Sequence, residues 1–131
     1  MSQENVEVIR AVNEAWNARD MDAFRELLDP EVAMYHVKGW PEPGPTVGRE
    51  ACMRFIEQLR NTWDADRIEV IGDYIHSADR VVVRWIWHGL GHGPQSDMEL
   101  STVYSVRKGK IRSAQYFWDH EEALEAVGLS E

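Results

Sequence analysis

The chain has 131 residues, 44% of them hydrophobic, which suits one domain with a single buried core, and no apolar run reaches the roughly 20 residues a bilayer-spanning helix needs. A formal net charge of −9 with no local Lys/Arg cluster repels phosphate backbones and anionic lipid, so neither nucleic acid nor a membrane surface is an expected partner. Cys52 is the only cysteine, and Met1 to Asn5 lacks the basic-then-apolar opening of a secretory signal, so a protein of the reducing cytoplasm is expected.

Val6, Ile9, Val12, Ala15 and Trp16 recur at three- and four-residue steps and predict a helix that ends near Asn17-Ala18-Arg19. Asp20 is placed to cap a second helix with the stripe Phe24, Leu27 and Leu28, which Asp29-Pro30 closes. Glu31 to Val37 reads as a strand in which Val32, Met34 and His36 alternate with Ala33, Tyr35 and Val37. Pro41, Pro43, Gly44 and Pro45 then stiffen a loop carrying Trp40, a candidate pocket rim. A third helix runs from Arg49 to about Thr62, with Cys52, Phe55, Ile56, Leu59 and Trp63 inward. Three strands, Arg67 to His76, Arg80 to Leu90 and Met98 to Arg107, follow on β-branched and aromatic content. Lys108-Gly109-Lys110 marks a hairpin into a last strand, Ile111 to Trp118, and Asp119 with Glu122 resembles a capping box for a final helix that Gly128 ends. Helices first and then a mostly antiparallel meander make an α+β order, one curved sheet wrapped around the three N-terminal-half helices. Both faces of the Val81 to Leu90 strand are rich in apolar residues, which predicts a second subunit on the outer face.

Ala15-Trp16-Asn17-Ala18-Arg19-Asp20, Gly48-Arg49-Glu50-Ala51 and the closing Asp119-His120-Glu121-Glu122-Ala123-Leu124 resemble the SnoaL-like branch of the NTF2-like superfamily over nearly the whole chain. That resemblance implies a cone whose concave sheet face and helices enclose an apolar pocket, and a convex face that makes a homodimer, here through Trp85 and Trp87. It implies no single reaction, because the fold hosts isomerases, cyclases, dehydratases, epoxide hydrolases and proteins without known activity. By register with a ketosteroid-isomerase-like member, His36 falls at the proton-shuttling acid of the first strand. The same register puts Val12 and Thr102 at the two oxyanion-binding positions, so that pair is missing. Limonene-epoxide-hydrolase-like members use an Arg-x-Asp pair and a further acid, where this chain has Arg84-Trp85-Ile86 and Gln115-Tyr116. Both of those mechanisms are disfavoured.

The family register turns Arg84 and His88 inward, so that His36, Arg84 and His88 form the candidate catalytic set. Trp16, Trp40, Phe55, Leu59, Trp63, Thr102, Tyr104, Tyr116 and Trp118 are the candidate substrate-binding residues. His36 is suited to acid–base work, or is a hydrogen-bonded core histidine. Arg84 is suited to an oxyanion, or pairs with Asp73, Glu69 or Glu99. His88 could polarise a carbonyl or orient His36, or face water at the mouth. Tyr104 and Tyr116 could donate to an oxyanion, or belong to the core. Asp119 sits near the position of an acid used by some SnoaL-like cyclases, but helix capping accounts for it with no chemistry. His88, His92 and Asp119-His120-Glu121 lack metal-site spacing, and no phosphate cradle occurs, so no metal or cofactor is expected. These residues suit a cofactor-free enzyme moving protons on a small hydrophobic oxygenated molecule. A non-catalytic carrier or sensor, or a dimeric scaffold with a filled interior, are the alternatives.

Overall fold

The computed structural model describes residues 2–40, 44–61, 65–90 and 96–129. Helix α1 (Ser2–Ala18) turns through Arg19, at a left-handed φ of 59°, into α2 (Met21–Glu26), which Asp20 caps by accepting from the Ala23 amide at 3.1 Å. The helical hairpin forms as expected, but α2 ends early. Leu28 already belongs to strand β1 (Leu28–Tyr35), and Asp29-Pro30 lies inside it, in a stretch where the pairing with the neighbouring strand shifts register. Proline is tolerated at such an irregularity because no ladder hydrogen bond is asked of it there.

Strand β2 (Thr46–Val47), not anticipated from the sequence, pairs with β1 and leads into α3 (Arg49–Asn61). Four long strands follow: β3 (Ala65–Ser77), β4 (Arg80–Leu90), β5 (Ser96–Arg107) and β6 (Lys110–Phe117), with α4 (His120–Ala126) last. The sheet order is β2-β1-β6-β5-β4-β3, parallel only between β1 and β6. It is an open, six-stranded mixed sheet in an α+β fold. Among the described residues no helix is long and apolar enough to cross a membrane.

Helices α1 and α3 cover one face, where Ile9, Cys52, Val81, Val83 and Ile111 are almost fully excluded from solvent. Helix α4 covers part of the other, seating Ala123 and Leu124 on Val82 and Val103. Asp119 caps α4 by accepting from the Glu121 amide at 3.0 Å, and Gly128 ends it at a φ of 79°. The apolar character of β4 on its outer face is therefore met at Val82 by this chain's own helix. Farther along the same face Ile86 is half-buried and Leu90 is 50% exposed.

Alternation along β4 runs opposite to the family register. Val81, Val83, Trp85 and Trp87 face inward, at 0, 1, 8 and 7% exposure, while Arg84 and His88 face out. The inward set is wholly apolar and the outward set carries a guanidinium and an imidazole. A one-residue slip would bury both charges and expose two indoles, so the observed register is the one burial energetics favours.

Candidate functional site

The concave face of the sheet and helices α1 to α3 leave a cavity of about 290 Å³. Of the expected binding residues, Trp16, Trp40, Phe55, Leu59, Tyr104 and Tyr116 line it, and His36 does as well. Trp85 and Trp87, expected on the outside as dimer contacts, are part of its wall instead. Asn13 is a further polar lining residue, and its amide donates to the Tyr74 hydroxyl at 3.4 Å.

His36 sits just past the end of β1, one residue beyond the paired segment. Its Nε2 is 3.0 Å from Thr46 Oγ1 on β2, and its ring stacks on Phe55 of α3 at 4.7 Å between centroids and 18° between planes. Backbone at Gly44 closes against the same ring, since a Cβ there would stand 3.4 Å from His36 Cγ. The imidazole is thus held between two segments, residues 44–46 and α3. His36 and Trp40 also border an outer hollow with Gly39, Gly44 and Pro45, so they stand between the cavity and the exterior.

The wall carries no charged side chain among the described residues. Burial pushes the Tyr104 phenol above its ordinary range, against a smaller opposing effect of its hydrogen bond to Thr102. Burial also raises Tyr116 well above that range, with Tyr104 and Cys52 adding to it. Both phenols therefore stay protonated and can act only as neutral donors or acceptors. Cys52 lines the cavity from α3, and burial raises its thiol to about 11, so it is a poor nucleophile at neutral pH.

The remaining expected site residues lie elsewhere. Arg84 pairs with Glu99 on the exposed face of the sheet, Nε to Oε2 at 2.6 Å, which realises one of the alternatives weighed for it. His88 is held outside between Glu69 Oε1 at 2.9 Å and Asp97 Oδ1 at 2.7 Å, so it neither orients His36 nor reaches the cavity. Thr102 is fully buried but accepts from Trp85 Nε1 at 2.7 Å behind the wall. Trp118 is 49% exposed, its indole donating to Lys38 O. Trp63 and His92 lie outside the described residues. His120 bonds to Ser101 Oγ at 2.8 Å, and among the described residues no cluster of three His, Cys, Asp or Glu side chains is arranged to hold a metal ion.

One buried cluster behind the wall was not anticipated. Asp66 Oδ2 accepts from Trp16 Nε1 at 3.0 Å and from Trp87 Nε1 at 2.8 Å, while its Oδ1 accepts from Arg60 Nε and Nη2 at 3.2 and 2.8 Å. The Arg60 guanidinium lies over the Trp16 ring, 4.3 Å from its centroid. A signal was present: Arg60 continues the inner stripe of Cys52 and Ile56 at four-residue steps, and a charge on an apolar stripe demands a buried partner.

Residues 9–114 match the family model of the SnoaL-like domain. The chain belongs to the SnoaL-like family. Its fold is shared with an NTF2-like protein of unknown function from Burkholderia pseudomallei, at a TM-score of 0.78 and 20% identity over 95% of this chain and 98% of that one. TerC, crystallised with polyporic acid, is similar at a TM-score of 0.77 and 20% identity, covering 95% of this chain and 97% of TerC. A putative polyketide cyclase from Xanthomonas campestris pv. campestris follows at 0.72 and 21%, over 97% and 98%. No curated protein matches. At these identities the likeness shows the fold, and the SnoaL-like chain's own cavity must carry any statement about chemistry.

Proposed function

We propose that this SnoaL-like chain is a cofactor-free enzyme of the isomerase, cyclase or hydrolase type that moves a proton on a hydrophobic, oxygenated small molecule, with His36 as the acid–base group. One observation carries the reading: among the described residues His36 is the only imidazole in the wall of an apolar cavity, and contacts from residues 44–46 and from α3 hold its ring at the mouth. Imidazole is the side chain whose ordinary titration range best suits proton transfer near neutral pH. Thr46 fixes Nε2, so substrate approach and proton transfer are governed by one ring orientation. The Tyr116 and Tyr104 phenols, kept neutral by burial, are the groups in the wall suited to donate to an oxygen that gains charge. The folds shared with TerC and with the putative cyclase support a small-molecule site of this kind. That Arg84 lies outside favours a second reading, a carrier that binds the same molecules without turning them over.

The test is exchange of the α-protons of 1-tetralone, a two-ring ketone, in deuterated buffer, followed by proton NMR. Wild type is expected to exceed buffer, and His36→Ala to lose about 10²-fold or more while 1-tetralone affinity and near-ultraviolet circular dichroism hold. Binding without exchange by wild type would leave the carrier. Equal exchange by His36→Ala would remove His36 from the chemistry.

A further inference from the structure

Five tryptophans are described, and four of their indole N–H groups find an acceptor inside the protein. Trp16 and Trp87 donate to Asp66, Trp85 to Thr102, and Trp118 to the Lys38 carbonyl. Trp40 differs: its Nε1 is buried with no acceptor among the described residues, although its ring lines the cavity that His36 also lines. Buried donors without partners are rare in native proteins, and each asks for a missing acceptor. The other three pocket indoles show that this fold otherwise supplies one.

Charge and size narrow what that acceptor belongs to. No cation lines the cavity among the described residues, Arg84 being engaged by Glu99 outside and Arg60 by Asp66 behind Trp16. An anion entering this wall would lose hydration, and the one countercharge it could meet among the described lining residues is the His36 ring at the mouth when that ring carries its proton. A cavity of roughly 150 Å³ lined by apolar side chains holds one benzene ring, so about 290 Å³ suits two rings.

We propose that the cavity selects neutral two-ring molecules bearing one hydrogen-bond acceptor over the matching carboxylates, and that the Trp40 indole N–H is the donor that reads that acceptor beside His36. This rests on the cavity being a ligand site, as proposed above. An acceptor held at Trp40 also brings the C–H bonds next to a carbonyl toward the His36 end, which is where proton transfer would need them.

Three probes of nearly one shape test this by isothermal titration calorimetry: 2-acetylnaphthalene, its alkene isostere 2-isopropenylnaphthalene, and 2-naphthoate. Trp40→Phe is expected to weaken the ketone about 5-fold and leave the alkene within about 2-fold, and 2-naphthoate is expected to bind wild type at least about 10-fold more weakly than the ketone. Because the substitution could perturb the loop, wild type labelled with ¹⁵N at its indoles supplies a second readout. The Trp40 N–H resonance should move on adding the ketone and stay near its place with the alkene. Equal losses for both ligands in Trp40→Phe, with no ketone-specific shift, would overturn the role of Trp40. Equal affinity for naphthoate would overturn the preference for neutral ligands. If none of the three binds, the ligand-site reading falls as well.

Discussion

Deleting the Asp66 carboxylate should show that one buried charge holds the cavity wall in place. The Asp66 side chain is 1% exposed and that of Arg60 6%, and the pair is joined at 2.8 Å. In Asp66→Ala the guanidinium keeps its charge in the same buried site, with Trp16 O at 3.1 Å as a remaining oxygen acceptor. Breaking a buried pair from one side costs about 3–5 kcal/mol, chiefly because the surviving charge is uncompensated. The indoles of Trp16 and Trp87 also lose their acceptor, each worth about 1 kcal/mol or more when left buried and unpaired. The expected loss is therefore about 5–7 kcal/mol, a large share of the roughly 5–15 kcal/mol that stabilises a domain. Urea unfolding followed by far-ultraviolet circular dichroism measures it without relying on the tryptophans being perturbed. The companion variant Arg60→Met with Asp66→Ala removes the stranded charge, so it should be no less stable than Asp66→Ala alone. A loss within about 1 kcal/mol for Asp66→Ala, or costs that simply add in the double variant, would refute the reasoning.

The register of β4 can be checked with two substitutions at adjacent positions. Trp85→Asp should abolish the native near-ultraviolet spectrum, since it buries a carboxylate among apolar side chains, whereas Arg84→Ala breaks only an exposed pair and should cost less than about 1 kcal/mol with ligand binding intact. The reverse pattern would mean that the strand is slipped by one residue. On the outer face, Glu69 chiefly and Asp97 next raise the His88 pKa by hydrogen bonding to the ring. A folded-state value above the unfolded one means that the protonated form is favoured by folding. Its stabilising effect is complete below about pH 6.5 and fades as pH rises through the raised folded-state value. Imidazole resonances followed against pH should place the His88 midpoint above 6.5 in wild type and lower in Glu69→Gln; a wild-type midpoint at or below 6.5 would contradict this.

Element boundaries were legible where periodicity and turn chemistry acted together. The β4 limits, Arg80–Leu90, match the expected ones, and the hairpin at Lys108-Gly109 and the cap at Asp119 follow from residues with strong local preferences. The end of α2 was misplaced because Asp29-Pro30 reads as a helix stop, while a register irregularity let proline sit within a strand. Phe55 and Trp16, expected inward from helix periodicity, and His36, expected from the family register, all line the cavity. Arg84 and His88 were misassigned for a different reason. The family register turns one face of β4 inward, whereas the strand's own pattern, four apolar residues against a mixed set, points the other way. The Asp66 cluster was the hardest to see, because its partners are spread over α1, α3, β3 and β4 and meet only after folding.

The same cluster explains how an apolar cavity stays open. Interiors normally pack densely, and large side chains around a void gain contacts by turning into it. Three of the indoles around this one are tethered by their N–H groups, two to Asp66 and one to Thr102, and turning inward would break a buried hydrogen bond in each case. The tethers thus oppose collapse on the α1 and β4 sides. At the mouth the restraint is of another kind, a stacked and hydrogen-bonded His36 beside the Trp40 indole, whose N–H has no acceptor among the described residues. Tethered walls with an indole N–H at the entrance that lacks an acceptor among the described residues leave the hydrogen-bonding demand of the site beside the His36 ring. On the proposed function, a molecule that meets that demand would be positioned for proton transfer by the same contact that retains it.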